Sequence, residues 1–426
     1  MWTRIDRNFP VPPAVRSVLN ALYDGGFEAY LVGGCVRDFL LGRETKDHDI
    51  ATSATPEEVE RIFPQTVGVG KAFGVIRVLA GEDHGIEVAT FRKDGPYADH
   101  RRPSKVEFGE VREDGARRDF TVNALYFDVK TNRVLDFFGG LEDLKAGKLR
   151  AIGNPEDRFK EDALRLLRAV RFASRFDFEI EENTRLAILK KAPLIRRISI
   201  ERIRDELERM ITHPSARTAV KELDALGLLE NVMPEIGVAK LQQKKVWEQT
   251  LRVLGVLGQY GGAEPASFYW GLFVLPALRL IAIEKRDEEA RKIAARLKLP
   301  KECARQMAYL VRETPKFRDA FSMREATLLR WMKDEDFELL VRFHGVDAIS
   351  YDGNLAGLEF VRAIHSEAKR RLDMKPLITG EDLVKLGLDP GPRFAEILGT
   401  IEDLALEGVL TTPEQALEYV LTHYVG

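Results

Sequence analysis

Cysteine is almost missing from this chain: Cys35 and Cys303 are the only two in 426 residues. That excludes a disulfide framework or a cysteine-built zinc site and points to a reducing cytoplasm. No apolar run approaches the ~20 residues needed to cross a bilayer. The opening stretch MWTRIDRNFPVPP has no signal-peptide core, so neither a membrane nor an export role is expected. Low-complexity tracts and repeats of fixed period are also lacking. There is no excess of either charge: 65 lysines and arginines face 68 acids, a net −3. An RNA partner would therefore need the positive charge gathered on one surface.

What is present divides in two. The first ~150 residues alternate strands and helices. An amphipathic helix is expected over Pro12 to Asp24, ending at Gly25-Gly26. Glu28 to Val32 reads as a buried strand that runs into Gly33-Gly34 and a helix from near Val36. Gly74 to Leu79, Ile86 to Phe91 and Leu125 to Val129 read as strands of the same sheet. The polar stretch Lys93 to Lys105, with Gly95, Pro96 and Pro103, reads as a mobile loop. From about Pro155 the pattern is helical to the end, with breaks near Pro193, Pro214, Gly261-Gly262, Pro300 and Pro376. Thr412-Pro413 should start the last helix. The fold class is α+β, a mixed head followed by helices.

Asp47 and Asp49 lie in LVGGCVRDFLLGRETKDHDIAT. Residues two apart in a strand share a side, so their carboxylates can converge on one divalent metal. Mg2+ is the expected cofactor because it takes oxygen ligands and keeps substrate phosphates among them. Such a metal polarises an α-phosphate and activates an attacking 3′-hydroxyl. The alternative is a pair of solvated loop acids. His48, between them, should point away and pack. Upstream, Gly33-Gly34-x-x-Arg37-Asp38 places a double glycine between strand and helix. There the backbone can approach a phosphate, and Arg37 adds a charge-assisted clamp. The alternative is a tight turn with Arg37 and Asp38 paired to each other.

Leu31 to Thr52, Arg117-Arg-Asp-Phe-Thr-Val-Asn-Ala-Leu125 and Glu161-Asp-Ala-Leu-Arg-Leu-Leu-Arg-Ala-Val-Arg-Phe-Ala173 together resemble the class II CCA-adding enzyme and bacterial poly(A) polymerase family. The likeness covers roughly the first 225 residues. It implies a polymerase-β-like nucleotidyltransferase head (1–150), then an all-helical neck (151–225), body (226–330) and tail (331–426). It further implies Asp47 and Asp49 as catalytic metal-binding acids and nucleotide contacts from Gly34, Arg37 and Arg118. Glu87, on the strand Ile86 to Phe91, is the candidate third catalytic carboxylate; a solvated strand residue is the alternative.

Arg158 to Arg175 reads as one long helix led by Asn154-Pro155. Arg165, Arg168 and Arg171 fall on one side of it, opposite Leu166, Leu167, Val170 and Ala173. A solvated basic face is one reading. The other concerns Asp162 and Arg165, one turn apart. CTP and ATP share an exocyclic amino donor beside an unprotonated ring nitrogen. Asp162 can accept from the first while Arg165 donates to the second. UTP and GTP would leave buried polar groups unpaired. The resemblance assigns that role to Glu161-Asp162-x-x-Arg165 and places Arg168 and Arg171 near the nucleotide.

Asp162-Ala-Leu-Arg-Leu-Leu-Arg resembles the CCA-adding form, where the polymerases carry Pro-Val-Arg-Met-Leu-Arg. Gly70-Lys-Ala-Phe-Gly-Val-Ile likewise favours the tRNA enzymes. No second His-Asp pair marks an appended phosphohydrolase domain. In this family the loop before Arg117-Arg118 serves the switch to A; here it is of full length, with Tyr97, Asp99, Arg101 and Arg102. Complete CCA addition is expected, with CTP and ATP as substrates and tRNA as partner. The tRNA would be held by backbone and shape, with the DPGPR turn at Asp389 to Arg393 a candidate contact region. No protein partner is predicted. CC-only or A-only transfer, poly(A) synthesis and a non-catalytic RNA-binding role are the alternatives.

Overall fold

The computed structural model describes residues 1–45, 47–80, 85–95 and 106–425, the side chains of Val69, Ala72 and Arg370 excepted. Tyr97, Asp99, Arg101 and Arg102 of the expected loop lie outside the described residues. The chain forms two compact units, Met1–Val238 and Ala239–Gly426.

The first unit opens with β1 (Trp2–Arg4), α1 (Pro13–Asp24), β2 (Ala29–Val32), α2 (Gly34–Leu40), β3 (Asp49–Thr52) and α3 (Pro56–Ile62). Next come β4 (Thr66–Gly70), β5 (Val75–Val78), β6 (Ile86–Thr90), β7 (Arg92–Asp94), β8 (Val106–Phe108) and α4 (Val111–Ala116). The head ends with β9 (Leu125–Asp128), β10 (Arg133–Asp136) and α5 (Gly140–Ala146). Eight strands form one sheet in the order β1-β10-β9-β2-β3-β6-β5-β4. Every pair is antiparallel except β3 with β6. All four residues of β2 are buried, because both sheet faces are covered. Tyr30, Val32, Ala51, Tyr126 and Leu135 share one cluster. Val15, Val18, Leu19 and Leu22 supply the buried face of α1, which stops where Gly26 takes φ +83°. The three strands expected after Gly74 all join this sheet. Lys93 and Asp94 belong to a hairpin strand, β7 paired with β8, rather than to an open loop.

Five helices follow: α6 (Pro155–Glu161), α7 (Leu164–Phe176), α8 (Glu182–Lys191), α9 (Ile200–Ile211) and α10 (Ala216–Ala225). The expected single helix over Arg158 to Arg175 is thus two helices. Asp162 breaks it: its backbone is extended (φ −139°, ψ 104°) and its side chain caps the Leu164 amide at 3.1 Å. Aspartate competes with the helix for its own backbone in this way. The basic face of α7 is not solvated either, since Arg165 and Arg171 are buried along with its apolar residues.

The second unit is helical throughout its described residues. Its centre is Ala266–Leu278, whose side chains from Ser267 to Pro276 are all buried. The C-terminal helices Gly380–Lys385, Pro392–Leu406 and Pro413–Val420 close over a separate apolar cluster around Leu383, Ile397 and Ile401. Breaks occur at the prolines and glycines expected, and Thr412 caps the last helix.

One close approach fixes the head segment that matters below. Asp136 caps α5 by accepting from the amides of Phe138, Gly139, Gly140 and Leu141. This brings Gly140 so near the turn at Thr121 that a Cβ there would lie 2.3 Å from the Thr121 carbonyl oxygen. Gly140→Ala should therefore destabilise the unit by roughly 1–3 kcal/mol, read as a lowered thermal midpoint. An unchanged midpoint would show that the backbone yields freely there.

Candidate active site

The double glycine does what its position requires. Gly33 turns out of β2 with φ +74° and ψ −126°, and Gly34 opens α2. A Cβ on Gly33 would stand 3.4 Å from Arg118 Nη1, so the small residue leaves the arginine its place. β2 pairs with β3 so that Val32 lies opposite Asp49. The end of β2 thus lies beside the start of β3, at one end of the sheet's central strands, with Asp47 just before β3. Asp47 is not itself in the strand, yet both acids line a single cleft of about 740 Å³.

Eight arginines line the same cleft: 37, 117, 118, 165, 168, 171, 175 and 209. Most are held by a carboxylate. Arg37 is buried; its Nε donates to Asp38 at 2.9 Å and its Nη1 to Asn123 Oδ1 at 2.5 Å. Its guanidinium also lies over the Phe172 and Phe176 rings. Burial lowers its pKa, with Asp38 opposing. The Arg37–Asp38 pair expected as the bland alternative exists, but inside the cleft wall.

Asp114 was not singled out by sequence. Its buried carboxylate accepts from Arg117 (2.5 and 2.9 Å), Arg118 (3.0 and 3.3 Å) and the Tyr126 hydroxyl (2.6 Å). Burial alone would raise its pKa; Arg118 and Arg117 outweigh that and hold it at about 2. The spacing Asp114-x-x-Arg117-Arg118 on a helix was the available signal.

Asp119 works likewise: Oδ2 accepts from Arg168 at 2.6 and 2.8 Å, and Oδ1 from Asn123 at 2.9 Å. Arg168 and Asn123 overcome its burial and hold it at about 2. Glu206 on α9 accepts from Arg171 Nε at 2.6 Å.

Asp162 and Arg165 both line the cleft; the Arg165 amide donates to the Asp162 carbonyl at 3.1 Å, while their side chains turn to other partners. Asp162 Oδ2 accepts from Arg202 at 2.9 Å. Arg165 donates to Glu161 Oε2 (2.8 Å) and to the carbonyls of Arg158 (3.1 Å) and Arg117 (2.9 Å). Arg202 and Glu206, four apart on α9, were missed because their partners lie far away in sequence.

Asp47 and Asp49 have no hydrogen bond or ion pair from their carboxylates among the described residues. Asp49 is open to the cleft yet enclosed by surrounding protein; burial, then Glu87, push its pKa up to about 6, with Arg118 opposing. The parallel register Ile50 to Val88 sets Glu87 beside Asp49. Glu87 does not line the cleft, however, and accepts from Arg77 Nη2 at 2.6 Å. Two unpaired carboxylates, one destabilised by a third, form an oxygen donor set short of positive charge, which suits a hard divalent cation. Among the described residues there is no preformed cluster of three such ligands. His48 packs edge-on against Phe9, and burial lowers its pKa.

Residues 29–150 match the family model "Poly A polymerase head domain", and 177–239 match "Probable RNA and SrmB- binding site of polymerase A". The chain is 34% identical to the CCA-adding enzyme of Lactococcus lactis subsp. lactis, over 94% of this chain and 95% of that protein. It is 37% identical to that of Lactobacillus delbrueckii subsp. bulgaricus, over 92% of each. Among solved structures it is similar to the Bacillus stearothermophilus CCA-adding enzyme in complex with CTP, with a TM-score of 0.78 and 27% identity over 97% of both chains.

The depressed carboxyls have a stability consequence. Asp114 and Asp119 stabilise the fold above the unfolded carboxyl pKa, and that contribution is lost as pH falls from about 4 toward 2. Each should contribute on the order of 2 kcal/mol. Urea unfolding between pH 5 and 2 should show the loss, and Asp119→Asn should flatten the slope. An equal slope in the variant would refute the assignment.

Proposed function

The chain belongs to the CCA-adding enzyme family, nucleotidyltransferases that complete the tRNA 3′ end with C, C and A from CTP and ATP without a nucleic-acid template, and we propose how its cleft performs this. The observation that carries the reading is one cleft holding two unpaired carboxylates, Asp47 and Asp49, together with eight arginines.

Arg37 and Arg118 bind the triphosphate. Each is anchored from behind, by Asp38 and Asn123 or by Asp114, so its outward N–H groups are fixed before the nucleotide arrives. Gly34 lets the phosphates approach the backbone. Asp47 and Asp49 would hold a divalent cation, Mg2+ in our reading, that supplies Lewis acidity at the α-phosphate and lowers the 3′-hydroxyl pKa. The tRNA 3′-oxygen attacks the α-phosphorus, the bond to the bridging oxygen of the β-phosphate breaks, and pyrophosphate leaves with the hydroxyl proton passing to solvent. Glu87 supports Asp49 from the adjacent strand, releasing Arg77 where it joins the acids.

Asp162 accepts from the exocyclic amino group of C or A, and Arg165 donates to the ring nitrogen. Arg202 and Glu161 hold the two side chains in place. Arg168 and Arg171, fixed by Asp119 and Glu206, flank the nucleotide. In this reading residues 1–150 carry the chemistry, 151–225 read the base, and 226–330 and 331–426 hold the tRNA. No described helix is long and apolar enough to cross a membrane, and the reduced cysteines fit work in the cytoplasm.

A tRNA ending at the discriminator base, given CTP, ATP and Mg2+, should grow by C, C and A and stop, resolved at single-nucleotide steps. Asp47→Ala should abolish extension. Growth of a long A ladder, or persistence of activity in the variant, would contradict the reading.

Asp162→Ala should lower kcat/KM for CTP and ATP by about 10²-fold or more, as expected when a buried hydrogen bond to substrate is removed. Its effect on UTP should be far smaller, so discrimination collapses. Equal losses for all four nucleotides would remove Asp162 from base reading.

A further inference from the structure

A second, smaller cleft of about 320 Å³ lies wholly within the second unit, far along the chain from the acids. Arg279 follows the buried helix Ala266–Leu278, Arg286 begins helix Arg286–Arg296, and Arg318 lies in the short helix Lys316–Asp319. His344, Asp347 and Tyr351 occupy one face of helix Phe337–Tyr351, spaced three and four apart. All six line the cleft.

Tyr351 lies between two guanidinium groups, with Arg279 4.0 Å and Arg318 5.3 Å from the ring centre. Arg279 Nη2 donates to Asp347 Oδ2 at 2.5 Å. Three buried polar atoms remain without a partner: Arg279 Nη1, Asp347 Oδ1 and His344 Nδ1. Buried groups of this kind are normally satisfied. Burial and the neighbouring Arg279 and Arg318 lower the pKa of Arg286, the sign of cations crowded together. His344, stacked on Phe317 and brought down to about 4 by burial, is neutral at neutral pH. Asp319 also lines the cleft, and Asp352 meets Arg318 at 3.7 Å from outside it.

A water could satisfy Asp347 and His344 but would leave the three guanidinium groups crowded. A ligand that answers the arginines and Asp347 together offers anionic oxygens to the first and one hydroxyl to the second. We propose that this cleft binds a free phosphate group carrying a P–OH: inorganic phosphate, pyrophosphate or a phosphate monoester. Arg279 Nη1, Arg286 and Arg318 take the anionic oxygens, and Asp347 Oδ1 accepts from the P–OH. Asp347 thereby selects against a phosphodiester, which has no proton to give. The site is independent of the reaction at the first cleft.

The test is equilibrium dialysis of the full chain with labelled inorganic phosphate, the first cleft being filled with a CTP analogue that has a methylene between the α- and β-phosphorus. One phosphate per chain should bind. The double variant Arg286→Gln, Arg318→Gln should weaken it by about ten-fold or more, since charge-assisted bonds are lost. Its thermal midpoint should match that of the parent, so the loss reports the cleft and not unfolding. Dimethyl phosphate should compete at least about ten-fold less well than phosphate, lacking a donor for Asp347. Absence of binding with the first cleft filled, or equal binding by the double variant, would overturn the proposal. So would equal competition by dimethyl phosphate, or loss of tRNA retention in the variant without any phosphate site. Those last two results would make the cleft a contact for the RNA backbone.

Discussion

Eight guanidinium groups line one cleft and repel one another, and carboxylates packed against most of them hold the cluster together. An unpaired buried charge costs several kcal/mol, so the arginines need dedicated partners. Asp38 serves Arg37, Asp114 serves Arg117 and Arg118, Asp119 serves Arg168, and Glu206 serves Arg171. Each acid sits behind its arginine, leaving other N–H groups free to face a ligand. Asp47 and Asp49 are left without an arginine of their own among the described residues. Burial, then Glu87, raise the pKa of Asp49, and Arg118 only partly opposes them. Positive and negative charge thus share one space, which the proposed reading uses for phosphates and a cation respectively.

The segment from Arg117 to Asn123 is where these arrangements meet. In the proposed arrangement Arg118 faces the phosphates; Asn123 braces Arg37, Asp119 fixes Arg168, and the Arg117 carbonyl accepts from Arg165. One short stretch therefore sets the distance between the triphosphate clamp and the base-reading pair. It is itself pinned, through Thr121 against Gly140 and through Asp143, which accepts from the Thr121 hydroxyl at 2.6 Å. Such rigidity is what orientation demands, since misplacing a reacting group by about 1 Å can cost 10²-fold in rate.

The sequence made the head legible where local pattern decides structure: the glycine turn, the strand edges, the acid pair and the proline breaks. It was blind to partners brought in from afar. Arg202 and Glu206 look like ordinary helix charges until α9 folds against Asp162 and Arg171. Asp162 was misread as helical because periodicity runs through it, while its side chain favours capping over continuing the helix. Glu87, a candidate third carboxylate by resemblance alone, comes beside Asp49 through the parallel register of β3 and β6. The chain pattern gave no hint that Arg77 engages it.

The proposed pair Asp162 and Arg165 explains rejection of U and G, but by construction it does not separate C from A. Both bases present an amino donor beside a ring acceptor, so one donor–acceptor code admits both. Nor does size alone serve, because a cleft of about 740 Å³ is large enough for either nucleotide. The order of addition must then come from outside the pair, from the space the growing tRNA end leaves beside it and from the loop before Arg117-Arg118. A fixed code of two side chains is compatible with a changing product only if a further determinant changes with it. Fixing the reader behind Arg202 and Glu161 makes this possible: the pocket stays constant while the substrate end alters what fits.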